Sequence, residues 1–378
     1  MSVSKRVPPF SLFRRHVLAL SASIAMLSIA VASPAAFAFT AGERHLVAEQ
    51  PTARERDAEH RTDLRITVWY PAADGYKEAP LTIGPPGQPL FVAGTSAQDA
   101  PFADDTRRAV VLLSHGFGGS ARVMAWFGTA LARAGYVVVA PDHPGNNAID
   151  PITMAGASYF WQRPGDLAVA LARVRQDPAI GPHLDASRIG AAGFSAGGFT
   201  ALAAAGGRVS VPHLDAFCAA HPSDGVCRPQ KEFAPDPAAF KAFRAQAQTQ
   251  RAVAASTRDL AIPGVKAVFA MAPAIVQGFT PDSLRAIGVP VRIMAGDADV
   301  VAPPATNARV AAETVPHARL TMLPGVAHYD FLAECTPAGE ARIELCRSTV
   351  ARRATHDAAI REAIDLFDAT LASAKPAT

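Results

Sequence analysis

The chain has 378 residues, 49% of them apolar and 18% charged, which excludes a disordered or fibrous chain and leaves enough apolar surface for one large domain or two modest ones. Its formal net charge is +3, from 36 basic and 33 acidic residues. Four of the basic residues, Lys5, Arg6, Arg14 and Arg15, lie in the first 38, which hold no acid; the remainder carries 32 against 33, a net of −1, and offers no basic face for nucleic acid.

The chain opens with that positive segment, followed by apolar and small residues from Val17 to Val31. Ala36-Phe37-Ala38 then supplies a small-x-small cleavage pattern. Together these predict a cleaved secretory signal peptide over 1–38 and a periplasmic or secreted protein over 39–378. The stretch "FRRHVLAL" resembles a twin-arginine signal. The apolar run is short for a membrane span, and no later run is long and uninterrupted enough for one.

In the mature part, "DLRITVWYP" (63–71) reads as a strand ending at proline, and 72–104, rich in Gly, Pro and Ala, as surface loops. "AVVLLSHG" (109–116) and "YVVVAPD" (136–142) are nearly continuous apolar runs, the pattern of strands buried on both faces. A helix is expected between them over 121–134, and another over 163–176 with proline in its first turn. "RIGAAG" is a third buried strand, followed by a helix over 196–205 that Gly206-Gly207 closes. Further strands are expected at 265–273, 289–297 and 318–325, with helices at 304–313 and 350–374. Alternation of this kind builds an α/β fold with a mostly parallel central sheet covered by helices on both faces. Residues 208–260 interrupt it and read as an insertion over one end of the sheet within a single domain.

The four cysteines fall in two close pairs, Cys218 with Cys227 and Cys335 with Cys346. In an exported chain this suggests two local disulfides, although four cysteines allow three pairings. The gaps are wide for a zinc site, the rival reading.

"GFSAGG" (193–198) places Ser195 between a strand and a helix, the G-x-S-x-G pattern of a nucleophile elbow. Gly193 and Gly197 would keep side chains out of a close strand–helix contact, and the helix N-terminus favours developing negative charge. A serine hydroxyl needs a base to take its proton. "GVAHYDF" supplies His328 just after the last strand, and "AGDADVVAPP" supplies Asp297 and Asp299 just after the strand before it. Asp299 is favoured as the third member because it sits further into the loop, with Asp297 left to hold that loop through backbone hydrogen bonds. Backbone N–H groups of Ala196 and of Phe117, in the glycine-rich "SHGFGG", are the candidate oxyanion donors. His115, His143 and His221 have weaker claims as site-lining residues or as partners of loop polar groups. Trp126, Phe160 and Trp161 are candidates for an apolar acyl pocket or for the core.

These segments resemble the α/β-hydrolase superfamily and, more narrowly, exported bacterial proteins called predicted dienelactone hydrolases, which are related to platelet-activating factor acetylhydrolase. The resemblance spans roughly 40–370 and rests on "VWYP" (68–71), "LSHGFGG" (113–119), "APDHPGNN" (140–147), "GFSAGG", "AGDADVVAPP" and "HYDFLAECTP" (328–337). Two departures matter. Dienelactone hydrolases use a cysteine at the elbow where this chain has Ser195. The acetylhydrolases carry their acid one strand earlier, where this chain reads Ala270-Met271-Ala272-Pro273 without a carboxylate. The resemblance implies hydrolysis of small or lipid-like carboxylic esters through an acyl-enzyme, with no metal or organic cofactor. A lactonase, peptidase or polyester-degrading enzyme, and a non-catalytic binding protein on the same fold, are the alternatives. Nothing in the sequence specifies the oligomeric state.

Overall fold

The computed structural model describes residues 1–4, 38–348 and 350–372, so the expected signal peptide lies almost wholly outside the described residues. The described residues from Ala38 onward form one unit. Its strands are β1 (Thr40–Glu49), β2 (Asp63–Ala72), β3 (Ala79–Ile83), β4 (Phe91–Gln98), β5 (Arg108–Ser114), β6 (Val137–Pro141), β7 (Leu184–Phe194), β8 (Val265–Met271), β9 (Val291–Gly296), β10 (Ala318–Leu323) and β11 (Glu334–Cys335). They lie in the order β10-β9-β8-β7-β5-β6-β2-β1-β4-β11, with β3 beside β4. From β10 to β6 every pairing is parallel, and β2 joins β6 antiparallel.

The apolar runs follow from this layering. A parallel strand covered by helices on both faces has no side to leave polar. Val110 and Leu112 of β5 enter one core layer with Ala191, Val268 and Ile293, against Leu167, Leu171 and Leu202 of the helices Arg163–Arg175 and Ala196–Ala204. Val111 and Leu113 point into the other with Ala192, Phe269 and Met294, against Phe127 and Leu131 of the helix Ala125–Arg133 and Phe367 of the closing helix Arg352–Leu371. Ser114 lies opposite Gly193, Met271 opposite Phe194, and Leu323 opposite Gly296. The loops that follow these strands therefore leave one edge of the sheet together.

Residues 72–104 are not simply surface loops: they contain β3 and β4, which extend the sheet beyond β1. Both strands are partly exposed and carry Pro80 and Gly94, so their apolar alternation is weak. The sequence reading also missed β1. There Glu43 is buried, and it accepts from Trp69 Nε1 and Ser96 Oγ, each at 2.9 Å. Within 208–260 the chain forms the helices Val211–Ala220, Pro237–Ala245 and Ala247–Ala255, which bury few of their residues.

Candidate active site

Ser195 stands between β7 and the helix Ala196–Ala204 with φ 57° and ψ −119°, a left-handed conformation that costs a non-glycine residue about 1–3 kcal/mol. The surroundings enforce it. Ser195 N–H donates to Met271 O at 2.9 Å, and its carbonyl accepts from Phe199 and Ala274 at 3.1 and 3.2 Å. A Cβ on Gly193 would lie 2.1 Å from Gly197 O, and one on Gly197 would lie 1.9 Å from Ser114 O. Strand and helix can approach this closely only because both positions lack a side chain.

His328 and Asp299 meet the serine. His328 Nε2 accepts from Ser195 Oγ at 2.9 Å, and His328 Nδ1 donates to Asp299 Oδ2 at 2.6 Å. The three are 6%, 3% and 4% exposed, so the chain of hydrogen bonds is shielded from bulk water. Asp299 Oδ1 is fixed by the N–H groups of Val301 and Ala302 at 2.9 and 2.8 Å. Asp297 is exposed, and its Oδ1 accepts from Gly325 N–H at 2.7 Å, tying the end of β9 to the loop after β10.

The loop that carries His328 is held by its carbonyls. Phe331 O accepts from Trp126 Nε1 at 3.2 Å, Leu332 O from His356 Nε2 at 2.9 Å, and Ala333 O from Arg352 Nη1 at 2.7 Å. Sequence reasoning missed Arg352 and His356, which read there as ordinary positions on an amphipathic helix. The disulfide Cys335–Cys346 (S–S 2.08 Å) closes the segment just beyond; Cys218–Cys227 (2.00 Å) closes the other pair inside the insertion.

The backbone of the glycine-rich loop lies against the serine: a Cβ on Gly116 would be 3.4 Å from Ser195 Cβ. Gly118 N–H is taken by Asn146 Oδ1 at 2.9 Å, Ala121 N–H by Asp142 Oδ1 at 2.8 Å, and Gly119 O by Ala148 N–H at 2.7 Å. The segment 142–148 thus clamps the loop. The N–H groups of Phe117 and Ala196 have no acceptor among the described residues, which leaves both available to an oxyanion.

Behind the loop lies a buried polar network. His115 Nδ1 donates to Gly116 O at 2.7 Å, and its Nε2 accepts from His143 N–H at 3.1 Å. His143 bridges Ser114 Oγ and Asp166 Oδ2, each at 2.9 Å, and Arg56 donates twice to Asp166 at 2.7 and 2.8 Å. Arg163 reaches the His115 carbonyl. Each charged group in it makes at least one hydrogen bond, as burial demands, although Arg163 Nε has no partner among the described residues. His115 and His143 therefore satisfy loop groups, while His221 is exposed in the insertion. Trp126 is a core residue stacked on His356, with ring centroids 3.8 Å apart. Phe160 packs edge-on against Phe199, and Trp161 lines a cavity of about 600 Å³ with Gln50 and Arg251 that no triad residue reaches.

Burial, reinforced by Arg163, pushes His143 down to about 3, and burial likewise pushes His356 down to about 3. Both stay neutral in the folded chain but take up a proton near pH 6.5 once unfolded. Their contribution is complete above that pH and is lost as pH falls toward 3, at roughly 2 kcal/mol each by pH 5. Urea unfolding should accordingly show lower stability at pH 5 than at pH 7, with a shallower dependence in His356→Gln. Equal stability at both values would contradict the buried neutral state.

A serine on a strand–helix elbow, joined to a histidine and an aspartate at the carboxyl edge of a mostly parallel sheet, defines an α/β-hydrolase of the serine-hydrolase class. The serine aminopeptidase S33 family (Hydrolase_4) matches residues 105–335, more than half the chain, and the chain belongs to it. Among solved structures the chain is similar to a ferulic acid esterase from Streptomyces cinnamoneus, at 19% identity and a TM-score of 0.60 over 92% of this chain and 94% of that one. At that identity the likeness is one of fold. A search of curated proteins found no match.

Proposed function

We propose that this protein hydrolyses carboxylic esters of small or lipid-like alcohols and acids through an acyl-enzyme on Ser195. The observation that carries the reading is the continuous hydrogen-bonded chain Asp299–His328–Ser195 beside two N–H groups without acceptors. His328 Nε2 takes the Ser195 proton as Oγ attacks the ester carbonyl. The negative oxygen settles against Phe117 and Ala196 N–H. His328 then returns the proton to the departing alcohol, and a water molecule, deprotonated by the same nitrogen, releases the acid. Asp299 holds the Nδ1–H tautomer and supports the imidazolium.

Esters are favoured over amides because an alcohol leaves more readily than an amine. Apolar chains are favoured by Val300, 79% exposed at the tip of the acid loop, and by Ile149, 58% exposed just past the clamp on the glycine-rich loop. The sequence resemblance to acetylhydrolases of lipid-like substrates points the same way. The two disulfides and the charged N-terminal segment support action in the periplasm or outside the cell. Turnover of p-nitrophenyl esters of rising chain length, with a lactone and an anilide as controls, tests this. Ester turnover at least about 100-fold above the anilide is expected; preference for the anilide or the lactone would overturn the ester assignment.

A further inference from the structure

The part of the insertion within and just past the Cys218–Cys227 disulfide reaches all three loops of the candidate site. Asp224 Oδ2 accepts from Thr306 Oγ1 at 2.7 Å, and a Cβ on Gly225 would lie 2.2 Å from Val300 O, so this segment is seated on the acid loop. Glu232 crosses the glycine-rich loop: its Cβ and Cγ lie 3.0 and 3.1 Å from where a Gly118 Cβ would stand. Tyr329, beside His328, presents its ring edge-on to the imidazole with centroids 5.4 Å apart, and its Oη donates to Glu232 Oε1 at 3.1 Å. Burial and the Glu232 charge hold that phenol protonated, so it remains a donor.

The carboxylate of Glu232 is half-buried and makes no ion pair with a cation among the described residues. The adjacent Lys231 is engaged elsewhere, with Glu344 at 2.8 Å. Asp299, the nearby acid of the triad, is held by hydrogen bonds from His328 Nδ1 and from the N–H groups of Val301 and Ala302. An uncompensated negative charge is thus fixed between the glycine-rich loop and the histidine loop. His328 protonates the departing alcohol, so this is the side on which the alcohol part of an ester must lie.

We propose that Glu232, held in place by Tyr329, is a charge filter at the mouth of the site that rejects esters whose alcohol part carries a carboxylate. The proposal rests on the ester-hydrolase reading and adds a substrate class to it. Repulsion between two like charges roughly 6–8 Å apart, partly screened by solvent, is enough for about a fivefold to tenfold change in kcat/KM.

The test compares the butyrate ester of 4-hydroxybenzoate with the butyrate ester of methyl 4-hydroxybenzoate, in wild type, Glu232→Gln and Glu232→Asp, with folding followed by circular dichroism. The ratio of neutral to anionic kcat/KM should fall about fivefold to tenfold in Glu232→Gln, remain near wild type in Glu232→Asp, and narrow in wild type as salt is raised. The ratio is taken within each variant, so a general loss of activity cancels. An unchanged ratio in folded Glu232→Gln, with both esters turned over, would overturn the filter alone. Turnover of neither ester by the wild type would overturn the ester reading and the filter with it.

Discussion

Asp299→Asn is expected to lower kcat by about 10⁴, because an amide in place of the carboxylate can hold His328 in the wrong tautomer and gives the imidazolium no counter-charge. The loss should appear mainly in kcat, since Asp299 is 4% exposed behind the histidine and meets no substrate. The fold should survive. The two N–H groups that fix Oδ1, from Val301 and Ala302, find the same acceptor in the asparagine oxygen. Asp297→Asn makes the matched control. That residue is exposed and only accepts from Gly325 N–H, a bond an asparagine oxygen also makes, so its kcat should stay within about threefold of wild type. Steady-state kinetics on a short-chain ester, with circular dichroism on each variant, measures both. A larger loss in Asp297→Asn would move the acid by two residues.

Ser195→Ala and His328→Ala should each reduce kcat by about 10⁶, and the double variant should be scarcely worse than either, because the members act as a unit. Residual turnover above the uncatalysed rate would come from the Phe117 and Ala196 N–H groups and from substrate binding. Neither change should unfold the chain. The Ser195 hydroxyl bonds only to His328 among the described residues, and the elbow is held by backbone contacts to Met271, Phe199 and Ala274 that alanine preserves. Simple additivity of the two losses would show that serine and histidine act independently.

The parallel heart of the fold was legible because β5 to β8 are buried on both faces and so read as apolar runs, several of them ending in glycine. The serine, the acid and the histidine were legible for a related reason: they follow β7, β9 and β10, and parallel strands release their loops at one edge. β1, β3 and β4 were not, since each is exposed along part of its length and β1 hides a buried Glu43 satisfied by partners from other strands. The network behind the site left no local trace either. Asp166 looks like an acid in a helix's first turn until Arg56, 110 residues earlier, is placed against it. Arg352 and His356 likewise show their purpose only once the carbonyls of 332–333 lie beneath them. Glu232 sat in a polar insertion where nothing separated it from any solvated acid.

The central claim is that Ser195 carries the acyl group. Reaction of the intact protein with a fluorophosphonate, followed by mass measurement and peptide mapping, tests it most directly. A single adduct on the peptide containing Gly193–Gly198, localised to Ser195 and absent from Ser195→Ala, is the predicted result. An adduct on any other residue, or full ester turnover in Ser195→Ala, would contradict it.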